Sequence, residues 1–341
     1  GHLYFSSIFD YPGHGVLPRA GRLNQLYYAM LDYKGHQFNT PNDYFTHLLE
    51  ENGMPNILGD FIEETIKVGG ASVHLRVLRT NEDAPTAVFI PGTATYAMCY
   101  AEFLHALYIA GMNVIGIDPR GHGQSDGLRG HYTIQSIMED AEHAIQYAKQ
   151  NFSGPVHLIG SSQGGITALY LATKGVSVDS VVCQNIADLT AKEANQLSRF
   201  PWLGRLGKPM LGLFARLLPK ARIPIHSYLA LYKVRVKHFG NARRFMQEDP
   251  LALEHITLGT LASLASTHLP NPLAAITLPV FVFQGEADEI FPVAYNQHLV
   301  HAIGSPIKEV KVYPHKGHGI MVNEPGEVAH DVFDWIKGLR D

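Results

Sequence analysis

Short apolar runs alternate with longer amphipathic stretches over most of the chain, and that rhythm predicts its fold. Residues 61–68 and 72–79 alternate apolar and polar positions around Gly69-Gly70, the pattern of a hairpin at an antiparallel sheet edge. Runs at 86–90, 113–118, 156–160, 179–184, 279–284 and 307–313 are more continuously apolar, as expected for strands covered on both faces. Between them, helical spacing predicts helices from beyond Ala94 to Ala110, from a Thr133 cap to about residue 151, over 166–174, up to about Ile303, and over 327–339. Strands alternating with helices at this spacing predict an α/β architecture, a mostly parallel, doubly wound sheet of eight strands.

Two stretches break the rhythm. Residues 1–60 are rich in Gly, Pro, Asn, Tyr and His, with modest helical patterning at 23–31 and 42–51, and are expected to form an N-terminal extension packed on the main domain. Residues 186–270 look helical and apolar, and between 185 and 270 there are twelve Lys/Arg against five Asp/Glu in a chain of net charge -4. That composition suits a helical cap, or lid, inserted between core segments 61–185 and 271–341. It fits a subdomain burying its own core, and equally a lid that faces a lipid or membrane surface.

Composition narrows the function classes. At 341 residues with 46% hydrophobic and 17% charged residues, the chain has the make-up of a soluble globular protein with a sizeable core. Its acidic balance argues against a general nucleic-acid binder. Cys99 and Cys183 form no zinc or redox pattern, and the 19 histidines are scattered with no HExxH-like spacing, so no metal is expected. No apolar run approaches the roughly 20 residues of a membrane span. The start lacks the charged and apolar regions of a signal peptide, so a cytoplasmic chain is expected. Gly1-His2 resembles the remnant of a purification tag, which leaves room for an export signal upstream.

The candidate chemistry centres on Gly160-Ser161-Ser162-Gln163-Gly164, directly after the apolar run at 156–160 and before a helical pattern. Glycines two before and two after Ser162 permit a sharp strand-to-helix turn that lifts its hydroxyl above the sheet edge. A serine hydroxyl needs a base to take its proton, and that histidine needs a carboxylate to fix its tautomer. Two later strands end in Gly285-Glu286-Ala287-Asp288 and Gly317-His318-Gly319, so Ser162, Asp288 and His318 are expected to converge at the carboxyl end of the sheet. Glu286, Glu289 and Asp188 compete with Asp288 as the acid, and His315 competes with His318. Ser161 lacks the glycine spacing of Ser162, while Glu324 and Asp118 are expected to be structural, Asp118 as a partner of the Arg120 loop. Acyl transfer also needs two N–H donors for the oxyanion, expected from Gln163 and Thr93, with a further hydrogen bond open to the Thr93 hydroxyl.

These residues, with Pro91-Gly92-Thr93 and Asp118-Pro119-Arg120-Gly121-His122-Gly123-Gln124-Ser125, resemble the α/β-hydrolase fold serine esterases and lipases. The likeness is nearest to the monoacylglycerol lipase and lysophospholipase-like group, from about Phe61 to the C-terminus. It implies hydrolysis through an acyl-enzyme without a cofactor. Where that family commonly has His-Gly, this chain has Pro91-Gly92, which puts the shape of the oxyanion loop in question. The expected substrate is a small acyl ester with an apolar acyl group, such as a monoacylglycerol or lysophospholipid. An aminopeptidase, lactonase or carbon–carbon hydrolase would use the same triad, because fold and triad do not set the bond cleaved. A non-catalytic ligand-binding protein of the fold is the remaining alternative. Haloalkane dehalogenases and epoxide hydrolases are disfavoured, since they need Asp at position 162.

Overall fold

The computed structural model of the protein describes residues 31–198 and 203–339. The chain divides into two compact units, Gly1–Met54 and Pro55–Asp341. In the first, β1 (Leu31–Tyr33) and β2 (His36–Phe38) form an antiparallel hairpin. Helix α1 (Pro41–Glu51) follows, opened by a reciprocal cap: the Thr40 hydroxyl accepts from the Asp43 N–H, and the Asp43 carboxylate accepts from the Thr40 N–H. Tyr33 and Tyr44 meet edge to face at 5.4 Å. The helix expected over 42–51 is therefore present. That expected over 23–31 lies outside the described residues, apart from Leu31, which begins a strand.

The second unit is built on one eight-stranded sheet. Its strands are β3 (Ile62–Val68), β4 (Ala71–Leu78), β5 (Thr86–Ile90), β6 (Asn113–Asp118), β7 (Val156–Ser161), β8 (Ser180–Gln184), β13 (Val280–Gly285) and β14 (Lys308–Tyr313). Their order is β14-β13-β8-β7-β5-β6-β4-β3, with β4 antiparallel to both its neighbours, β3 and β6, and every other adjacent pair parallel. Gly69 and Gly70 turn the β3–β4 hairpin with φ of 56° and 86°, as its two-residue turn demands. Every residue of β5, β6, β7, β8 and β13 is buried, which accounts for their unbroken apolar runs. Each fully buried Val, Leu or Ile there contributes on the order of 2 kcal/mol. The rigid centre of the sheet is thus the platform on which the site loops stand.

Helices α2 (Ala101–Ile109), α3 (Ile134–Asn151), α4 (Gln163–Lys174), α8 (Val293–Ala302), α9 (Ile320–Asn323) and α10 (Pro325–Gly338) complete this core, with α2 packed on α10 and α3 on α4. Thr133 caps α3 through a hydrogen bond of 3.0 Å from the Ser136 N–H, as the sequence predicts. Two helix starts differ from expectation. Helix α2 begins at Ala101 because residues 97–100 form a tighter 3₁₀ turn, and α4 begins at Gln163 because the chain turns into the helix at Ser162 itself.

The cap is less purely helical than its composition predicts. Helices α5 (Leu203–Leu217), α6 (Ala242–Glu248) and α7 (Leu258–Ser266) are joined by two short antiparallel ribbons. One pairs β9 (Arg222–Pro224) with β12 (His255–Thr257), and the other pairs β10 (Arg235–Val236) with β11 (Gly240–Asn241). These pairs are too short to show an alternating pattern, so periodicity does not reveal them. The cap is tied to the core beside the sheet's carboxyl end. Leu253 N–H donates to the Ala94 carbonyl at 2.9 Å, Thr257 N–H to Gly130 at 2.9 Å, and Tyr96 hydroxyl to the Asp249 carboxylate at 2.8 Å.

Candidate active site

Ser162 stands at the junction of β7 and α4 with φ 52° and ψ -114°, a region that a residue with a side chain rarely adopts. Its N–H is anchored by the Gln184 carbonyl of β8 at 2.9 Å. The turn is possible because a Cβ at Gly164 would overlap the carbonyl oxygens of Ile90 and Pro91 at the end of β5. Helix α4 therefore lies against the strand ends only with glycine there. The strain on Ser162 points its hydroxyl away from the packed sheet and into hydrogen-bonding reach of another loop.

That loop follows β14. His318 Nε2 lies 3.0 Å from Ser162 Oγ, and His318 Nδ1 lies 2.9 Å from Asp288 Oδ2. The carboxylate is fully buried and the imidazole 11% exposed. Asp288 Oδ1 accepts the N–H groups of Ile290 and Phe291, each at 2.8 Å, and Oδ2 also accepts from Asn185 Nδ2 at 3.2 Å. Burial opposes the ionised carboxyl, but the charge and hydrogen bond of His318, with the two N–H donors, hold it below the usual carboxylate range. Burial likewise opposes a charged imidazole. Attraction and hydrogen bonding by Asp288 outweigh it, and His318 titrates above its ordinary value. The Phe291 ring stacks on the imidazole at 5.6 Å and 6°, and the His318 N–H donates to the Glu289 carboxylate at 2.8 Å. Orientation is thus fixed from both sides. A carboxylate, an imidazole and a hydroxyl so arranged can move a proton off the hydroxyl.

The loop after β5 faces the start of α4. Among the described residues, neither the Gln163 N–H nor the Thr93 N–H has an acceptor. The Thr93 hydroxyl donates to Gln163 Oε1 at 3.0 Å. That same oxygen accepts the Tyr132 hydroxyl at 3.1 Å. With Pro91 in place of histidine, the loop is shaped by Tyr100, whose hydroxyl accepts the Gly92 N–H at 3.2 Å.

Apart from Glu289, which accepts the main-chain N–H of His318, the competing candidates lie elsewhere. Asp188 Oδ1 caps Thr190 through its N–H and hydroxyl at 3.0 and 2.9 Å. Glu286 accepts the His315 N–H, and the His315 side chain is 94% exposed. Ser161 is buried, donating to Gln184 Oε1 at 2.7 Å. Glu324 pairs with Lys316 at 2.7 Å. Asp118 accepts the N–H groups of Ala97 and Gln124, bracing the loop that follows it, whereas Arg120 itself pairs with Asp140 at 2.6 Å. Both cysteines are free. Three contributors escape sequence reasoning: Asn185, Tyr132 and Phe291. Only Phe291, three residues beyond Asp288, carried a local hint.

A mostly parallel eight-stranded sheet that presents a serine on a strained strand-to-helix turn, beneath a largely helical insertion, defines an α/β-hydrolase. The chain belongs to the serine aminopeptidase, S33 family, which matches residues 82–326. It is similar to the monoacylglycerol lipase of Mycolicibacterium smegmatis, 28% identical over 281 residues that cover 79% of this chain and 94% of the relative. The monoglyceride lipase of Mus musculus is 23% identical, covering 80% and 89%. Among solved structures, a soluble variant of monoglyceride lipase from Saccharomyces cerevisiae, in complex with a substrate analogue, superposes with a TM-score of 0.65 at 18% identity, covering 82% and 94%.

Proposed function

We propose that the protein is a carboxylic ester hydrolase acting through an acyl-enzyme, with Ser162 as nucleophile, His318 as base and Asp288 as the acid that orients it. The unbroken hydrogen-bond chain from Asp288 through His318 to Ser162 carries this reading. His318 Nε2 takes the Ser162 proton as Oγ attacks the acyl carbon, and the oxyanion is held by the N–H groups of Gln163 and Thr93. The tetrahedral species expels the alcohol, which leaves with the proton from His318. A water deprotonated by His318 then attacks the acyl-enzyme, releases the acid and restores Ser162.

The preferred substrate is an apolar acyl ester of the monoacylglycerol type, supported by the names of the relatives and by the cap. Met210, Leu213, Phe214, Leu217 and Leu218 recur at helical spacing and are 60%, 57%, 47%, 66% and 60% exposed, with Arg216, Lys220 and Arg222 also at the surface. An exposed apolar stripe with cationic neighbours suits an anionic lipid surface. A p-nitrophenyl ester chain-length series on wild type and Ser162→Ala tests the chemistry. The variant is expected to lose turnover by several orders of magnitude while staying folded. Equal rates in the two proteins would refute the assignment. Preference for amino-acid p-nitroanilides over esters would shift the reading to an aminopeptidase, and an unchanged rate with anionic vesicles would remove the lipid contact.

A further inference from the structure

The two loops that present the oxyanion donors meet at a single atom. Gln163 Oε1 accepts one hydrogen bond from the Thr93 hydroxyl, on the loop after β5, and a second from the Tyr132 hydroxyl. Tyr132 is itself held from above. Thr260, in the first turn of cap helix α7, accepts the Tyr132 N–H at 2.9 Å through its hydroxyl, which lies 2.8 Å from the Tyr132 carbonyl and 2.9 Å from that of Gly130. Tyr132 is 4% exposed, Gln163 4% and Thr260 0%, so solvent does not compete for these bonds.

We propose that Tyr132 is a positioning residue for the oxyanion hole, acting through the Gln163 carboxamide and transmitting the seating of the cap to the catalytic loops. This deepens the hydrolase reading and rests on it. The hole works only if both donors are aimed before charge develops on the substrate oxygen. The Gln163 N–H sits on the peptide that follows the nucleophile, where helix α4 begins, and the Thr93 N–H sits on a loop outside regular structure. The carboxamide ties that loop across to α4. Tyr132 fixes the carboxamide from a third side, so that Thr93 has a stationary acceptor. Without the phenol, the amide can swing about its side-chain torsions and the Thr93 loop follows it. Burial raises the Tyr132 hydroxyl above its ordinary titration range, so it remains a donor across the working pH.

Tyr132→Phe deletes only the hydroxyl. The ring contact with His122, at 4.5 Å, and both backbone bonds to Thr260 remain. On a p-nitrophenyl ester the variant is expected to lose about tenfold in kcat with KM within about twofold, less than the 10²–10³-fold of deleting an oxyanion donor outright. Affinity for a boronic acid, which mimics the tetrahedral species, should fall in parallel with kcat/KM, a change that general loosening of the fold would not produce. In a Gln163→Leu background, which keeps the backbone N–H, Tyr132→Phe should change kcat less than twofold, because no carboxamide is left to hold. A single variant within twofold of wild type in kcat, or the same tenfold loss in the Leu background, would overturn the inference alone. Wild-type protein that hydrolyses no ester and takes no fluorophosphonate label would overturn the hydrolase reading and this inference together.

Discussion

Asp288→Asn is the most discriminating perturbation, because the structure decides which way the new amide must point. The wild-type carboxylate uses Oδ1 for the Ile290 and Phe291 N–H groups and Oδ2 for His318 and Asn185. An asparagine has one acceptor and one donor end. Turning its NH₂ toward Ile290 and Phe291 would strand two backbone donors, at about 1–3 kcal/mol each. The NH₂ therefore faces His318 Nδ1, which must become an acceptor. The imidazole proton then moves to Nε2, 3.0 Å from Ser162 Oγ, and that nitrogen can no longer take the hydroxyl proton. Loss of the correct tautomer lowers kcat by about 10⁴-fold in enzymes with this constellation. The pH profile should change as well. His318 must be neutral to act as base, and its raised pKa puts the acid limb of kcat/KM at higher pH than an ordinary histidine would. With the carboxylate's charge removed, the limb should move to lower pH. Steady-state hydrolysis of p-nitrophenyl butyrate from pH 5 to 9, with circular dichroism to confirm folding, measures both effects. A variant within tenfold of wild-type kcat, or one whose acid limb stays in place, would refute the role given to Asp288.

Gly164→Ala should fold poorly, losing about 3 kcal/mol or more, because the new Cβ meets backbone carbonyls of β5 that cannot move aside; urea denaturation would show this as a lower midpoint. Asp140→Ala leaves Arg120 without its buried partner, 2.6 Å away, and should lower stability by about 3 kcal/mol, the low end for a buried pair because Glu139 still faces the guanidinium. A melting temperature equal to wild type would contradict that. Leu213→Glu with Leu217→Glu should abolish co-sedimentation with anionic vesicles while hydrolysis of a short soluble ester stays within about twofold. Retained sedimentation would place lipid contact elsewhere.

The sheet and the convergence of Ser162, His318 and Asp288 were legible for a common reason: both leave local signatures. Fully buried central strands appear as unbroken apolar runs, the Gly69-Gly70 turn requires positive φ twice, and Gly160 and Gly164 bracket Ser162 wherever a strand must turn straight into a helix. Asp288 and His318 were readable because each lies on the loop that directly follows a strand of the same sheet. What was hidden depends on contacts across long separations. Tyr132 reaches Gln163, 31 positions on, and Thr260, 128 positions on, and Asn185 reaches Asp288, 103 positions on; no period or motif encodes such pairs. The ribbons of the cap were hidden because two- and three-residue strands fall below any detectable alternation.

If Ser162 is the nucleophile proposed above, its left-handed backbone sets catalytic competence against durability. A non-glycine residue held there stores on the order of 1–3 kcal/mol that glycine would not. Ser162→Gly should thus melt at a higher temperature than the parent protein, even though it removes the hydroxyl proposed as the nucleophile. Selection for thermal robustness alone would favour glycine at this position, and a library screened without an activity filter would be expected to enrich inert chains at residue 162.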